Sequence, residues 1–366
     1  MHESLRRGWG NPSSVHAEGA KAREQVEQAR DRVASALGAD TRSIVFTSCA
    51  TEANNAVLRR LVPALGRGTH ALSTTVEHPS VETPLCRLAD EGWRVTRVPV
   101  DRDGRLDLSA FESACAERPA VVSVIWANNE TGVLCPIEQV AALAKSAGAF
   151  LHVDATQALG KLPINLATLP IDALALSAHK LGGPKGIGAM VLRDPSSFAP
   201  PRADPLLGGG GQEDGHRGGT ENVPGIVGLG VACALAEAEL PDRMERTAAL
   251  RDSLWQHIHS KIPRVRRNGA PERVLNNTLN VEFEGVAGEV LVQALDLEGI
   301  AVSSGAACSS GSIEPSRVLV AMGRSAAEAR ASLRFSVGHG NTPEEIERVT
   351  SLLPDLVERI RASERA

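Results

Sequence analysis

The sequence predicts an α/β protein in two parts: a large domain over residues 1–235 with a mostly parallel seven-stranded sheet covered by helices, and a smaller α+β domain over residues 236–366. Three observations predict it. Seven apolar or alternating runs, at 44–47, 70–76, 94–100, 120–127, 149–154, 172–176 and 188–193, are separated in several places by helical stretches such as Ile137–Ala147. A chain of 366 residues is longer than one hydrophobic core serves. Beyond about residue 230 the pattern changes to long helices, then strand, helix and strand.

Taken in order, residues 1–15 are polar and rich in Gly and Pro. His16–Leu37 places Val26, Ala29, Val33 and Leu37 at helical spacing, with Gly38 as the stop. Ile44–Thr47 reads as a strand that turns through Ser48-Cys49-Ala50-Thr51 into a helix, Glu52–Leu61. Small residues opening a helix leave backbone N–H groups facing outward, where the helix dipole favours an anion. Thr51 also reads as an ordinary N-cap. Leu206–Asn222 holds four consecutive glycines, Gly208 to Gly211. Leu229–Glu239 and Met244–Ile262 read as two helices that bridge to the second domain. There, Asn280–Glu284 reads as a strand, Gly288–Glu298 as a helix and Ser332–Ser336 as a strand. Thr342-Pro343-Glu344-Glu345 opens the last helix with a capping box and a proline at its first position. Pro354 is expected to kink or divide that helix.

Composition excludes several classes. A net charge of −5 gives no reason to expect nucleic acid or an anionic membrane as partner, and few aromatic residues with no tyrosine argue against a stacking platform for single strands. The longest apolar stretch, Val223–Ala236, is interrupted by Pro224 and glycines, so no transmembrane helix is expected. The N-terminus has no apolar stretch of the signal-peptide kind. Six cysteines (Cys49, Cys86, Cys115, Cys135, Cys233, Cys308) lie far apart without a CxxC pair. That argues against a disulfide framework or structural zinc and fits a reducing cytoplasm.

His78, Asn129, Asp154, Gln157, Ser177 and Lys180 each follow an apolar run. In a mostly parallel sheet the ligand sits at the carboxyl ends of the strands, so these residues are expected to share one crevice. Lys180 follows Asp172–Leu176 and precedes a glycine-rich turn, where partial desolvation would expose its amine as a nucleophile for an aldehyde. Ser177 and His179 beside it can donate to an anion. Asp154 ends an apolar run, and a carboxylate there needs a partner. Pyridoxal phosphate (PLP) sites pair such a lysine with an acid at the pyridinium nitrogen, so the pair Lys180 and Asp154 points to PLP.

Nine segments then carry a resemblance: 11–16 (Asn-Pro-Ser-Ser-Val-His), 50–55 (Ala-Thr-Glu-Ala-Asn-Asn), 77–81 (Glu-His-Pro-Ser-Val), 127–132, 152–157 (His-Val-Asp-Ala-Thr-Gln), 177–180, 217–222, 303–311 and 334–336. In this order they resemble the cysteine desulfurases of the NifS/IscS type, within the class V aminotransferases. The resemblance implies the PLP-dependent transferase fold, aspartate aminotransferase-like. It implies cofactor contacts from Ala50, Thr51, His78, Asn129, Asp154, Gln157, Ser177, His179, Lys180 and Thr220. His78 would stack on the ring and Gln157 would donate to the phenolate oxygen. Thr220 would reach the cofactor phosphate of the partner in a homodimer. Asn11, Asn129 and Arg334 would bind the substrate, L-cysteine, with Arg334 on its α-carboxylate.

The loop Ser303–Ser312 has no large apolar anchor, so Cys308 is expected to be accessible and mobile. The resemblance makes it the nucleophile that takes the sulfur as a persulfide for an acceptor protein, and a transient iron–sulfur ligand; no resident metal is implied. Its short Cys-Ser-Ser-Gly-Ser form resembles the NifS/IscS branch. Two departures stand out. The family's opening segment, of the type Tyr-Leu-Asp-Asn-Asn-Ala-Thr-Thr, is expected to be missing before Asn11. Cys49 stands where the family has glycine, a difference that matters if the turn needs positive φ. A selenocysteine lyase and an inactive PLP-binding scaffold remain alternative readings.

Overall fold

A computed structural model of the chain describes residues 1–198, 203–304 and 314–363. Its larger sheet contains β1 (Ile44–Thr47), β2 (His70–Thr74), β3 (Arg94–Val98), β4 (Val121–Ile125), β5 (Phe150–Asp154), β6 (Ala173–Ser177) and β7 (Gly188–Leu192). Their order across the sheet is β1-β7-β6-β5-β4-β2-β3. From β3 to β6 every pairing is parallel; β7 alone runs antiparallel, to both β6 and β1. The central strands β4, β5, β6 and β7 are buried at every residue. That is why they read as continuous apolar runs: helices cover both faces. The edge strand β3 (Arg-Val-Thr-Arg-Val) is partly exposed and mixes polar with apolar residues instead.

The chain divides into two compact units. The first comprises Met1–Val98, Leu108–Trp126 and Cys135–Leu240; the second comprises Pro99–Asp107, Ala127–Leu134 and the chain from Pro241 onward. The second unit has its own antiparallel sheet, β8 (Val265–Asn268), β9 (Thr278–Phe283) and β10 (Ser332–Ser336), in the order β10-β9-β8. Leu279, Val281, Phe283, Leu291, Leu333, Leu353 and Val357 form its core, drawn from β9, β10 and the helices Gly288–Leu297 and Pro343–Ser363.

Three helices differ from expectation. The stretches at 229–239 and 244–262 are one helix, Val223–Lys261, which runs through Pro241. A proline removes one N–H donor, but buried residues on both sides (Leu229, Cys233 and Ala236 before it, Leu250, Leu254 and Ile258 after it) hold the helix together by packing. An 18-residue window of this helix is long and apolar enough, by length and composition only, to cross a membrane, and 44% of that window is buried inside the protein. The last helix, Pro343–Ser363, likewise runs through Pro354 undivided. Its capping box is present: Thr342 N donates to Glu345 Oε2 (3.2 Å) and Glu345 N to Thr342 Oγ1 (3.4 Å). The helix expected at 52–61 begins at Ala50, then loosens into a π turn at Val57–Leu61. Pro63 has no N–H to give to Arg59, so the Val62 N–H reaches back to Val57 instead.

Candidate active site

The parallel register sets the first unit's site. Asp154, the last residue of β5, pairs with Ala175 of β6, so the ends of both strands open on the same edge of the sheet. β6 ends at Ser177 and turns through a 3-10 helix, Ala178–Lys180. β1 ends at Thr47, before the helix Ala50–Ala56. β2 ends at Thr74, four residues before His78, which caps the helix Pro79–Asp90.

Asp154 is 3% exposed. Its Oδ2 accepts from Asn54 Nδ2 (3.0 Å) and its Oδ1 from the Thr156 N–H (3.0 Å). Both donors are neutral. The Thr156 hydroxyl nearby is buried without a protein partner. Ser177 Oγ lies 2.9 Å from His179 Nδ1. Burial, and then the positive charges of Lys180, Lys185 and Lys161, hold the His179 imidazole below its ordinary pKa. Cationic groups converging beside a hydroxyl suit an anion. Lys161 Nζ donates to Gln157 Oε1 (2.8 Å), so the Gln157 NH2 group is turned away as a donor.

Lys180 is exposed rather than partly desolvated, because the 3-10 turn carries its side chain off the end of β6. Thr51 is not the N-cap. Cys49 is, without a side-chain bond, and the Glu52 carboxylate takes the Ser48 N–H instead (2.7 Å). This leaves Thr51 exposed. Ala50, the first residue of that helix, is buried. Cys49 sits at φ −174°, extended backbone open to any residue, so cysteine brings no strain there. The close approach falls on Gly188 instead, where an added Cβ would lie 2.9 Å from Cys49 Cα and 2.5 Å from the Leu176 carbonyl oxygen.

Thr220 is exposed, on a segment tied down at two points. Glu213 accepts from Arg30 (2.8 and 2.9 Å) and from the Phe46 N–H (2.7 Å), and Arg217 Nε donates to Glu52 (3.1 Å). Asn11 is exposed, and its Oδ1 accepts from the Ser13 N–H in a local turn (2.9 Å).

Asn129 and Arg334 belong to the second unit. There Arg334 NH1 donates to the Asn129 carbonyl oxygen (2.8 Å), while its buried Nε has no protein partner. Beside them, burial pushes the Glu130 carboxyl up to about 7, although the Ser316 hydroxyl donates to it and the Arg334 charge opposes the shift. Cys308 lies outside the described residues. Among the described residues the five cysteines are free thiols, and no three His, Cys, Asp or Glu side chains gather as they would to hold a metal ion.

The chain matches the family Aminotransferase class-V over residues 1–349. It belongs to the class-V aminotransferases. It is 47% identical over 354 residues to "Cysteine desulfurase 2" of Trichormus variabilis, covering 97% of this chain and 87% of that one. Among solved structures, a "NifS-like protein" superposes with a TM-score of 0.90 at 35% identity, covering 98% of this chain and 94% of that one. "SspA in complex with cysteine" follows at 0.79 and 34%, covering 92% of each. The class-V fold is therefore the one expected, a mostly parallel seven-stranded sheet with its helices.

Sequence reasoning missed Asn54, Ser80 and Glu77. Asn54 carried a signal: it lies four residues after Ala50 and three before Val57, a polar residue on the buried face of its helix. Ser80 and Glu77 lie inside the quoted segment 77–81, but nothing in their spacing shows that both are buried.

Proposed function

We propose that this chain is a cysteine desulfurase, which takes sulfur from L-cysteine, releases L-alanine and holds the sulfur as a persulfide on Cys308. One observation carries the reading: a buried acid, Asp154, and a lysine, Lys180, stand at the same open ends of two adjacent parallel strands. The donor set suits pyridoxal phosphate. Asp154 is an acceptor for a ring N–H. Ser177, His179 and the exposed Thr51 would supply donors to its phosphate, and Gln157 offers its amide NH2. When bound, the cofactor supplies a pyridinium ring that withdraws electrons from the substrate's α-carbon.

The protein's own groups do the rest. Lys180 Nζ would hold the cofactor and take the proton from the substrate α-carbon. The Asp154 carboxylate would hold the proton of the ring nitrogen. Arg334, with its Nε unpaired inside the protein, binds the α-carboxylate. The Cys308 thiolate attacks the substrate sulfur: its S–S bond forms as the carbon–sulfur bond breaks, and that electron pair ends, with a proton, on the carbon that becomes the alanine methyl. The exposed Thr220 on its tethered segment supports a homodimer in which it reaches the partner's cofactor phosphate. A sulfur-acceptor protein, as in iron–sulfur cluster assembly, and a cytoplasmic location complete the reading.

The test is purification with pyridoxal phosphate, visible absorbance, and alanine release from L-cysteine. Wild type should be coloured and active. Lys180→Ala should lose the covalently bound chromophore and the activity, and Cys308→Ser should keep the chromophore and lose desulfuration. Normal alanine release by Lys180→Ala would overturn the reading.

A further inference from the structure

His78 is joined to Asp154 by a chain of side chains that no motif announces. Asn54 is fully buried, and its Nδ2 donates twice: to Asp154 Oδ2 (3.0 Å) and to Ser80 Oγ (2.9 Å). Ser80 Oγ in turn lies 2.8 Å from His78 Nδ1, and the Ser80 N–H points at the same ring nitrogen (3.1 Å). Asn54 Oδ1 is buried with no partner.

The direction of each bond follows from its neighbour. Asp154 Oδ2 accepts from Asn54, so the Asn54 NH2 group faces it and Oδ1 lies on the other side. The second Nδ2 hydrogen then occupies a lone pair of Ser80 Oγ, and the hydroxyl proton turns to His78 Nδ1. The backbone N–H of Ser80 reaches that nitrogen as well, because His78 is the N-cap of the helix Pro79–Asp90. A nitrogen that receives two donors carries a lone pair, so the ring proton sits on Nε2.

We propose that Asn54 and Ser80 are positioning residues that link Asp154 to His78 and hold its ring as the Nε2–H tautomer. Protonating Nδ1 would set a new N–H against the Ser80 N–H and turn away the hydroxyl. Burial holds the His78 imidazole below its ordinary pKa, and of the charges that face it Asp154 opposes this and Lys180 adds to it. His78 therefore meets whatever lies over Nε2 as a hydrogen-bond donor, and it does not act as a base from that atom. That this atom faces the cofactor rests on the function proposed above; the tautomer does not.

The experiment is long-range proton–nitrogen correlation on protein labelled with ¹⁵N-histidine, with and without pyridoxal phosphate, and with His78→Gln to assign the signal among ten histidines. Wild type should show a protonated Nε2 and an unprotonated Nδ1 at neutral pH. Ser80→Ala removes one donor to Nδ1, and Asn54→Leu frees the hydroxyl that supplies it. Each should raise the His78 protonation constant on the order of tenfold, the size of one neutral hydrogen bond. Ser80→Thr should restore the wild-type midpoint. A proton on Nδ1 in the wild type, or unchanged midpoints in both Ser80→Ala and Asn54→Leu, would overturn the proposal. These signals are read without turnover, so a failure to release alanine bears only on the function.

Discussion

Replacing Glu77 with glutamine should remove a pH dependence of stability that the native protein carries. The Glu77 carboxyl is buried between the ends of β2 and β4. Its Oε1 accepts from Thr74 Oγ1 (2.6 Å) and from the Ile125 N–H (3.0 Å), and its Oε2 has no partner. Burial is the main cause that pushes it up to about 8, the Thr74 and Ile125 bonds oppose this, and the Asp154 charge adds to it. Glu77 is thus protonated in the folded protein at neutral pH and ionised in the unfolded chain. A raised acid contributes stability that is complete below its unfolded pKa and lost as pH rises through its folded pKa. For a move from about 4.5 to about 8, the loss between pH 5 and pH 8 is on the order of 3 kcal/mol. Glutamine keeps the acceptor at Oε1 and cannot ionise. Denaturant unfolding followed by tryptophan fluorescence at pH 5 and pH 8 measures the effect. Groups common to both proteins cancel in the difference, Glu130 among them. Glu77→Gln should gain on wild type by that amount at pH 8 relative to pH 5. Parallel pH curves for the two proteins would show that Glu77 is ionised when folded and refute the reasoning.

Three further outcomes follow from the same geometry. Glu213→Ala leaves the largely buried Arg30 with Glu27 as its remaining carboxylate and takes the acceptor from the Phe46 N–H; it should cost about 1–3 kcal/mol in equilibrium unfolding and speed proteolysis near Thr220. Gly188→Ala puts a Cβ 2.5 Å from the Leu176 carbonyl oxygen and should lower the melting temperature sharply, whereas Gly66→Ala, where a Cβ would meet nothing, should show only the mild strain of its left-handed backbone. His152 is fully buried beside Ser123 and is held down to about 4 by burial, with the Asp154 charge opposing; its neutral form supports the fold above pH 6.5 and is lost as pH falls through 4. His152→Gln should therefore flatten acid unfolding in that window, read by circular dichroism.

How much was legible depended on whether a feature is local. β1 and β10 were readable residue for residue, because β1 is a short apolar run and β10 alternates Leu and Phe with polar residues. Asp154 and Ser177 stood out because each closes such a run at the open edge of the sheet. The helix through Pro241 was not readable: a proline marks a break, and the packing that overrides it comes from residues distant in sequence. The exposure of Lys180 depends on the tightness of one turn. Asn54 meets Asp154 across 100 residues of chain and Ser80 across 26, and periodicity says nothing about such pairs.

The second unit is not one stretch of chain. The backbone passes between units at 98/99, 107/108, 126/127, 134/135 and 240/241, and Asn129 sits in one of the early excursions while Arg334 lies near the far end. As the polypeptide leaves the ribosome, residues 127–134 must wait for more than a hundred later residues before their own unit can close. No single cut yields two self-sufficient halves, and a fragment starting at Pro241 would lack the strand of chain that carries Asn129. Assembly of the unit that holds Asn129 and Arg334 is thereby postponed until synthesis is nearly finished.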